Sequence, residues 1–182
     1  MNLIFRTIIR MIRSRYATRL AMTDVGRMNF RVVPTDIDVL GHMNNGVYFS
    51  IMDLGRIDLM MRAGAWAKLR SKGYYPVMAN ETMSFRKSLD LWAKFTLETR
   101  LAGYDEKAVY CEQRFVVEGE IYAVAMTRAR FLKRSGGVVS TAELAEIVGV
   151  AATSHAPEPW VADWAAQVAL PSTREPAPSL WD

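Results

Sequence analysis

The sequence predicts an α+β fold in which an antiparallel sheet wraps around one long central helix. Three observations predict it. A single strand pattern is followed by one long, mostly apolar helical period, and then by long strands joined by short turns. The strand set is half apolar and needs an apolar partner on its inner face. The only helical stretch long enough to supply one is residues 47–63.

Each element follows from local pattern. Residues 29–33 alternate polar and apolar and stop at Pro34, a pattern that predicts the first strand. Residues 35–46 are polar and turn-rich. From Val47 the period becomes helical, with Tyr48, Ile51, Met52, Gly55 and Leu59 on one face. Leu54, Ile57 and Met61 widen that face, so the helix is expected to be mostly buried. Asp53 with Arg56, and Asp58 with Arg62, stand three and four residues apart and are expected to pair on its outer surface. A short helical piece, 65–72, comes next, and then strands at 75–89, 93–101, 107–118 and 121–133. Phe95, Leu97, Thr99 and Leu101 alternate cleanly with Lys94, Thr96, Glu98 and Arg100. Residues 103–106 read as one turn and Gly119 as a tight reversal, so the last strands form a meander. A helix is expected over 140–148, and a shorter one from Pro159 to Leu170, with Pro in its first turn and Trp160 and Trp164 four apart.

The chain is thus divided into a basic amphipathic arm (1–24), the helix-and-sheet body (25–150) and a Pro-rich extension (151–182), which carries Pro157, Pro159, Pro171, Pro176 and Pro178 of the seven prolines. In the arm, Arg6, Arg10 and Arg13 fall three or four residues apart, a spacing that would put them on one face of a helix, among the apolar residues Leu3, Ile4, Phe5, Ile8, Ile9, Met11 and Ile12. Two readings of residues 1–20 stand: an interfacial helix resting on an anionic membrane, or a helix packed on its own domain or on a partner subunit. No apolar stretch there is long enough to span a bilayer, and no signal-peptide cleavage pattern follows it.

Composition narrows the function. Hydrophobic residues make up 51% and charged residues 23% of 182 residues, which suits one core-bearing domain. The net charge is +4, but much of the excess lies in the arm, and no basic stripe interleaved with aromatics or zinc-type spacing supports nucleic-acid binding. One cysteine, Cys111, rules out a disulfide framework and suits a reducing, cytoplasmic compartment. It sits in a strand pattern and is read as a small buried apolar residue. Only His42 and His155 accompany it, so neither a metal nor a redox cofactor is implied.

The chemistry concentrates in Pro34-Thr35-Asp36-Ile37-Asp38-Val39-Leu40-Gly41-His42-Met43-Asn44-Asn45-Gly46-Val47-Tyr48. Asp36 and Asn44 have architectural readings: Asp36 can bond the backbone of its own turn, and either Asn44 or Asn45 can cap the helix. Asp38 and His42 form an acid–base pair beside a helix N-terminus, whose free N–H groups suit the oxyanion of an attacked thioester.

This segment resembles the D-x-D-x-x-G-H-x-N-N-x-x-Y motif of the hotdog acyl-CoA thioesterases related to 4-hydroxybenzoyl-CoA thioesterase. Asp53-Leu54-Gly55-Arg56-Ile57-Asp58-Leu59, Gly103-Tyr104-Asp105-Glu106-Lys107 and Glu112-Gln113-Arg114-Phe115 are similar to the thioesterase-superfamily-member-six-like branch. The resemblance spans residues 25–135. It implies a hotdog fold and hydrolysis of an acyl-CoA thioester to free acid and CoA. It puts the catalytic carboxylate, as general base or nucleophile, on Asp38 and the carbonyl-polarising amide on Asn45 or Gly46. It also implies a homodimer or homotetramer with the site at a subunit interface. Plant acyl-carrier-protein thioesterases have a similar loop, but this chain has Leu40 where they have Asn. His42 is therefore given a supporting role as polariser or proton donor. Tyr48, Arg86 and Lys87 are expected at the substrate, the two cations toward the CoA phosphates. Two competing readings are a non-catalytic acyl-thioester or lipid-binding module and an acyl-CoA hydratase or dehydratase.

Overall fold

The structure is a computed structural model and describes residues 12, 14, 16–150, 156–172 and 174–179. The reading of the arm as a helix therefore falls mostly outside the described residues, as does His155. Strand β1 (Gly26–Arg31) leads through a one-turn 3-10 helix (Pro34–Asp36) to helix α1 (Asn45–Arg62) and helix α2 (Ala65–Ser71). Strands β2 (Tyr74–Phe85), β3 (Lys94–Tyr104), β4 (Val109–Val117) and β5 (Glu120–Lys133) follow, then helices α3 (Thr141–Val148) and α4 (Pro159–Gln167). The strands form one five-stranded sheet in the order β1-β3-β4-β5-β2, with every pair antiparallel.

The expected plan holds, and α1 is the helix that fills the sheet's inner face. Tyr48, Ile51, Met52 and Leu54 pack with Phe30 of β1, Phe95 and Leu97 of β3, Phe115 of β4 and Ala123 and Ala125 of β5. A chain of rings crosses this core: Tyr48 lies 4.8 Å from Phe115, Phe115 5.5 Å from Phe95, and Phe95 5.5 Å from Phe30. These large rings carry much of the apolar burial.

Two expectations about polar residues need correction. The Asp53–Arg56 and Asp58–Arg62 pairs form, but Arg56 and Asp58 are both buried, so neither pair is a purely surface one. Helix α1 is covered nearly all round. Arg56 reaches under it, where Nη1 donates to Gln113 Oε1 at 2.8 Å and Nη2 meets Glu81 of β2 at 3.0 Å. Gln113, fully buried on β4, donates from Nε2 to the Met52 carbonyl and to Thr99 Oγ1, both at 2.9 Å. Its amide is thus satisfied at both ends, as burial requires. Asp58 accepts from the Ser14 hydroxyl and from Arg62.

The other differences are at element ends. The first strand begins at Gly26 and ends before Val32, because Pro34 opens a 3-10 turn rather than closing a strand. Strand β2 stops at Phe85, short of the expected Leu89. Strand β3 runs on through Gly103 and Tyr104 by way of a bulge after Leu101, so its turn lies later, around Asp105. The β4–β5 reversal is a two-residue turn with φ of 50° at Glu118 and 85° at Gly119, the left-handed pair that matches the twist of a hairpin. Helix α4 ends at Gln167 and lies on the opposite face of the sheet from α1, where Val161 and Ala165 pack on Tyr110 and Met126.

Asp105 holds the β3–β4 turn. Its carboxylate accepts from the Lys107 and Ala108 amides at 2.7 and 2.8 Å and from the Tyr110 hydroxyl at 2.6 Å. Burial raises its pKa, but these bonds outweigh burial and hold it below the usual value. On Glu112 burial is likewise outweighed, by Arg100 and Arg114. A depressed carboxylate pKa contributes stability that is present above the unfolded value and lost as pH falls through the folded one. Thermal melts are therefore expected to show Tm falling once pH drops below about 4, and Asp105→Asn should flatten that fall.

Candidate active site

The loop from β1 to α1 is folded by its own main chain. Asp36 is buried; its Oδ2 accepts from the Val33 amide at 3.0 Å and its carbonyl accepts from the Asn44 amide at 2.8 Å, which ties the two ends of the loop together. Between them lies a small hairpin. Ile37 bridges Met43, the Asp38 amide donates to the His42 carbonyl at 3.0 Å, and the Gly41 amide donates to the Asp38 carbonyl at 3.1 Å. Gly41 takes a φ of 85°, which closes this turn at no steric cost. The Asp38 Oδ1 accepts from the Leu40 amide at 2.8 Å. This leaves Asp38 half-buried at the base of the hairpin, with Val39 and Leu40 exposed at its tip. His42 is exposed and bridges Asp90, and the Met43 amide donates to the Leu89 carbonyl at 2.9 Å.

Of the two asparagines that could cap α1, Asn44 does so, and its Oδ1 accepts from the Gly46 amide at 2.9 Å. That bond separates the two candidate oxyanion donors. The Gly46 N–H is engaged by the cap, whereas among the described residues nothing accepts from the Asn45 N–H, the first amide of the helix. Asn44→Ala is expected to cost about 1 kcal/mol of stability in denaturant melts, the usual loss for a helix cap.

A cleft of about 280 Å³ brings most of the expected residues together: Asp38, His42, Asn45, Tyr48, Arg86 and Lys87 all line it. Gly46 does not. Tyr48 forms part of the floor, with its ring edge-on to Phe85 at 5.1 Å. Burial raises its pKa, against the Leu89 amide and with Asp90, so its phenol stays protonated. Phe85 and Ser88 line the cleft too and were missed from sequence, since nothing in their local pattern distinguishes them from other residues at a strand end. Arg86 and Lys87 are at the mouth, but each is paired with Glu120 at 2.6 Å. Cys111 lies apart on β4, where burial pushes its thiol up to about 11, so it carries no thiolate near neutral pH.

Among the described residues no group of three or more His, Cys, Asp or Glu side chains is arranged to hold a metal ion. No helix among them is long and apolar enough to cross a membrane.

Comparison with known proteins adds a family. The sequence pattern of the thioesterase-like superfamily matches residues 32–166. Protein THEM6 of Xenopus laevis is 41% identical over 106 residues, 57% of this chain and 51% of that protein. The chain spans about half the length of the curated relatives it matches. Among solved structures, the probable thioesterase YbaW of Escherichia coli aligns with a TM-score of 0.63 at 19% identity, covering 67% of this chain and 95% of that one. Protein SAV2348 of Staphylococcus aureus, solved in complex with CoA, aligns with a TM-score of 0.59 at 15% identity, covering 78% and 94%. At these identities the two structures speak for the hotdog fold.

Proposed function

Since the chain belongs to the thioesterase-like superfamily, we propose that it hydrolyses an acyl-CoA thioester to a free acid and CoA, with Asp38 as the catalytic carboxylate. The observation that carries this reading is the meeting of Asp38, His42 and Asn45, the first residue of α1, in one cleft. A thioester carbonyl placed between them meets a carboxylate on one side. On the other it meets an N–H backed by the positive end of an 18-residue helix. Negative charge that builds on the carbonyl oxygen during attack is stabilised there, where the donor is already oriented.

Two routes use the same residues. In one, Asp38 takes a proton from water, the hydroxide adds to the carbonyl carbon, and collapse of the intermediate expels the CoA thiolate, which is then protonated. In the other, the carboxylate itself adds and expels the thiolate, leaving a mixed anhydride that water cleaves. A single turnover in ¹⁸O-water separates them, because only the second leaves unlabelled product acid and carries the label into Asp38. This holds where water opens the anhydride at the aspartyl carbon. His42, exposed beside Asp38, serves as polariser or proton donor to the leaving sulfur.

Tyr48 bounds the acyl end of the cleft, and Arg86 and Lys87 stand where CoA phosphates would arrive. The CoA-bound S. aureus neighbour, which shares the fold, supports this choice of carrier. We read the chain as a homodimer or homotetramer, because β2 is a 12-residue edge strand at one end of the sheet.

The test is thiol release from a panel of CoA esters, short to long and aromatic. Turnover of one or more supports the reading and ranks the acyl groups. Binding without release from any of them would instead support a non-catalytic thioester-binding module.

A further inference from the structure

At the mouth of the cleft stands a charge triad for which hydrolysis itself has no use. Arg86 and Lys87 follow β2 directly, and both of their main-chain amides donate to one acceptor, the Tyr122 carbonyl, at 2.8 and 3.1 Å. Consecutive residues of a regular strand point to opposite faces. Here the shared acceptor breaks the pleat, and both side chains reach the same carboxylate. Arg86 Nη1 donates to Glu120 Oε1 and Lys87 Nζ to Glu120 Oε2, each at 2.6 Å. Glu120 is the first residue of β5, just past the Glu118–Gly119 turn, so the hairpin fixes where that carboxylate stands. Lys87 also lies 5.4 Å over the Tyr122 ring, and Arg86 donates to the Ile121 carbonyl at 3.3 Å. Both cations line the cleft that holds Asp38.

We propose that Glu120 is an internal competitor for the phosphates of the incoming carrier and so sets how strongly the cleft prefers a phosphorylated thiol over an unphosphorylated one. The inference takes its ligand from the reading of the site as a CoA-thioester cleft. The physical basis is simple. One carboxylate occupies both cations, one oxygen to each, and a phosphate must displace it before making charge-assisted bonds of its own. All three side chains are roughly half exposed, at 58%, 44% and 42% for Arg86, Lys87 and Glu120. Pairs this exposed are weak and exchange readily. The carboxylate therefore tunes affinity without closing the site, and its effect is screened by salt.

The experiment is calorimetric titration of the full chain with CoA and with pantetheine, which lacks the phosphates. It compares wild type, Glu120→Gln, and the Arg86→Ala/Lys87→Ala pair with and without Glu120→Gln. Glu120→Gln should bind CoA about 2–5-fold tighter, the scale of one exposed ion pair. The gain should shrink as salt rises, and pantetheine affinity should not change. The Arg86→Ala/Lys87→Ala chain should bind CoA more weakly, and Glu120→Gln should add nothing to it. Unchanged or weaker CoA binding in Glu120→Gln, an equal gain for pantetheine, or no CoA binding by either chain would overturn the proposal. Binding is read without turnover, so the two readings fail separately. A chain that splits no ester yet shows the CoA-specific gain loses the hydrolysis reading and keeps this one. Hydrolysis without the gain does the reverse.

Discussion

Asp38→Asn is expected to lower kcat for thioester hydrolysis by about 10²–10⁴-fold, the range carried by a positioned acid or base, while the fold stays intact. Asn has the same shape, and its carbonyl oxygen can still accept from the Leu40 amide, the bond that shapes the hairpin tip. Asp38 is only half-buried, so removing its charge leaves no buried group unpaired. What the substitution does remove is the ability to take a proton or to attack a carbonyl. Thiol release and a thermal melt, run side by side on both proteins, check the two halves of this expectation. A variant that melts like wild type and still turns over at a comparable rate would take Asp38 out of the reaction. A variant that melts far lower would instead show that the carboxylate shapes the loop.

Gly55→Ala is expected to destabilise the protein by about 2–4 kcal/mol, although Ala is the better helix former by about 1 kcal/mol. A Cβ at this position would come within 2.5 Å of Thr99 Oγ1, 2.6 Å of Leu97 Cδ2 and 2.9 Å of Gln113 Nε2. Helix α1 crosses the sheet so closely here that hydrogen is the only side chain that fits. The intruding methyl strains a packed core. It also pushes on Gln113, whose bonds to the Met52 carbonyl and Thr99 would leave buried polar groups unpaired if broken. Scaled to a chain of this size, the loss lowers Tm by about 5–15 °C, which a calorimetric or circular-dichroism melt reads directly. A Tm at or above wild type would mean that the helix has room to move away from β3 and β4.

Both predictions turn on residues the sequence marks in different ways. The Asp38 loop was legible because its bonds are local. Asp36, Asn44 and Gly41 satisfy amides a few residues away, and residue type alone suggests such turns and caps. The face from Tyr48 to Leu59 was legible for the same reason, since a helical period is written within one segment. Gly55 was placed on that face correctly. That it is the point of closest approach to Thr99 and Gln113 depends on the register of β3 against β4, which no local pattern carries. The same holds for Arg56, expected on the surface by its spacing from Asp53 but buried against Gln113, 57 residues on.

Local periodicity and turn chemistry by themselves determined the order of elements, the central position of α1 and the loop where carboxylate, imidazole and helix start come together. The comparison with known proteins agrees with the family those residues resemble. Only the tertiary structure decided which first-turn amide the helix cap engages, because the Asn44 side chain takes the Gly46 N–H. It alone decided that Glu120 holds Arg86 and Lys87, charges more than 30 residues apart in sequence. The physical reason is common to both kinds of result. Helical faces and turns are set by bonds within a few residues, whereas burial of a charge or choice of its partner is set by how distant strands register against one another.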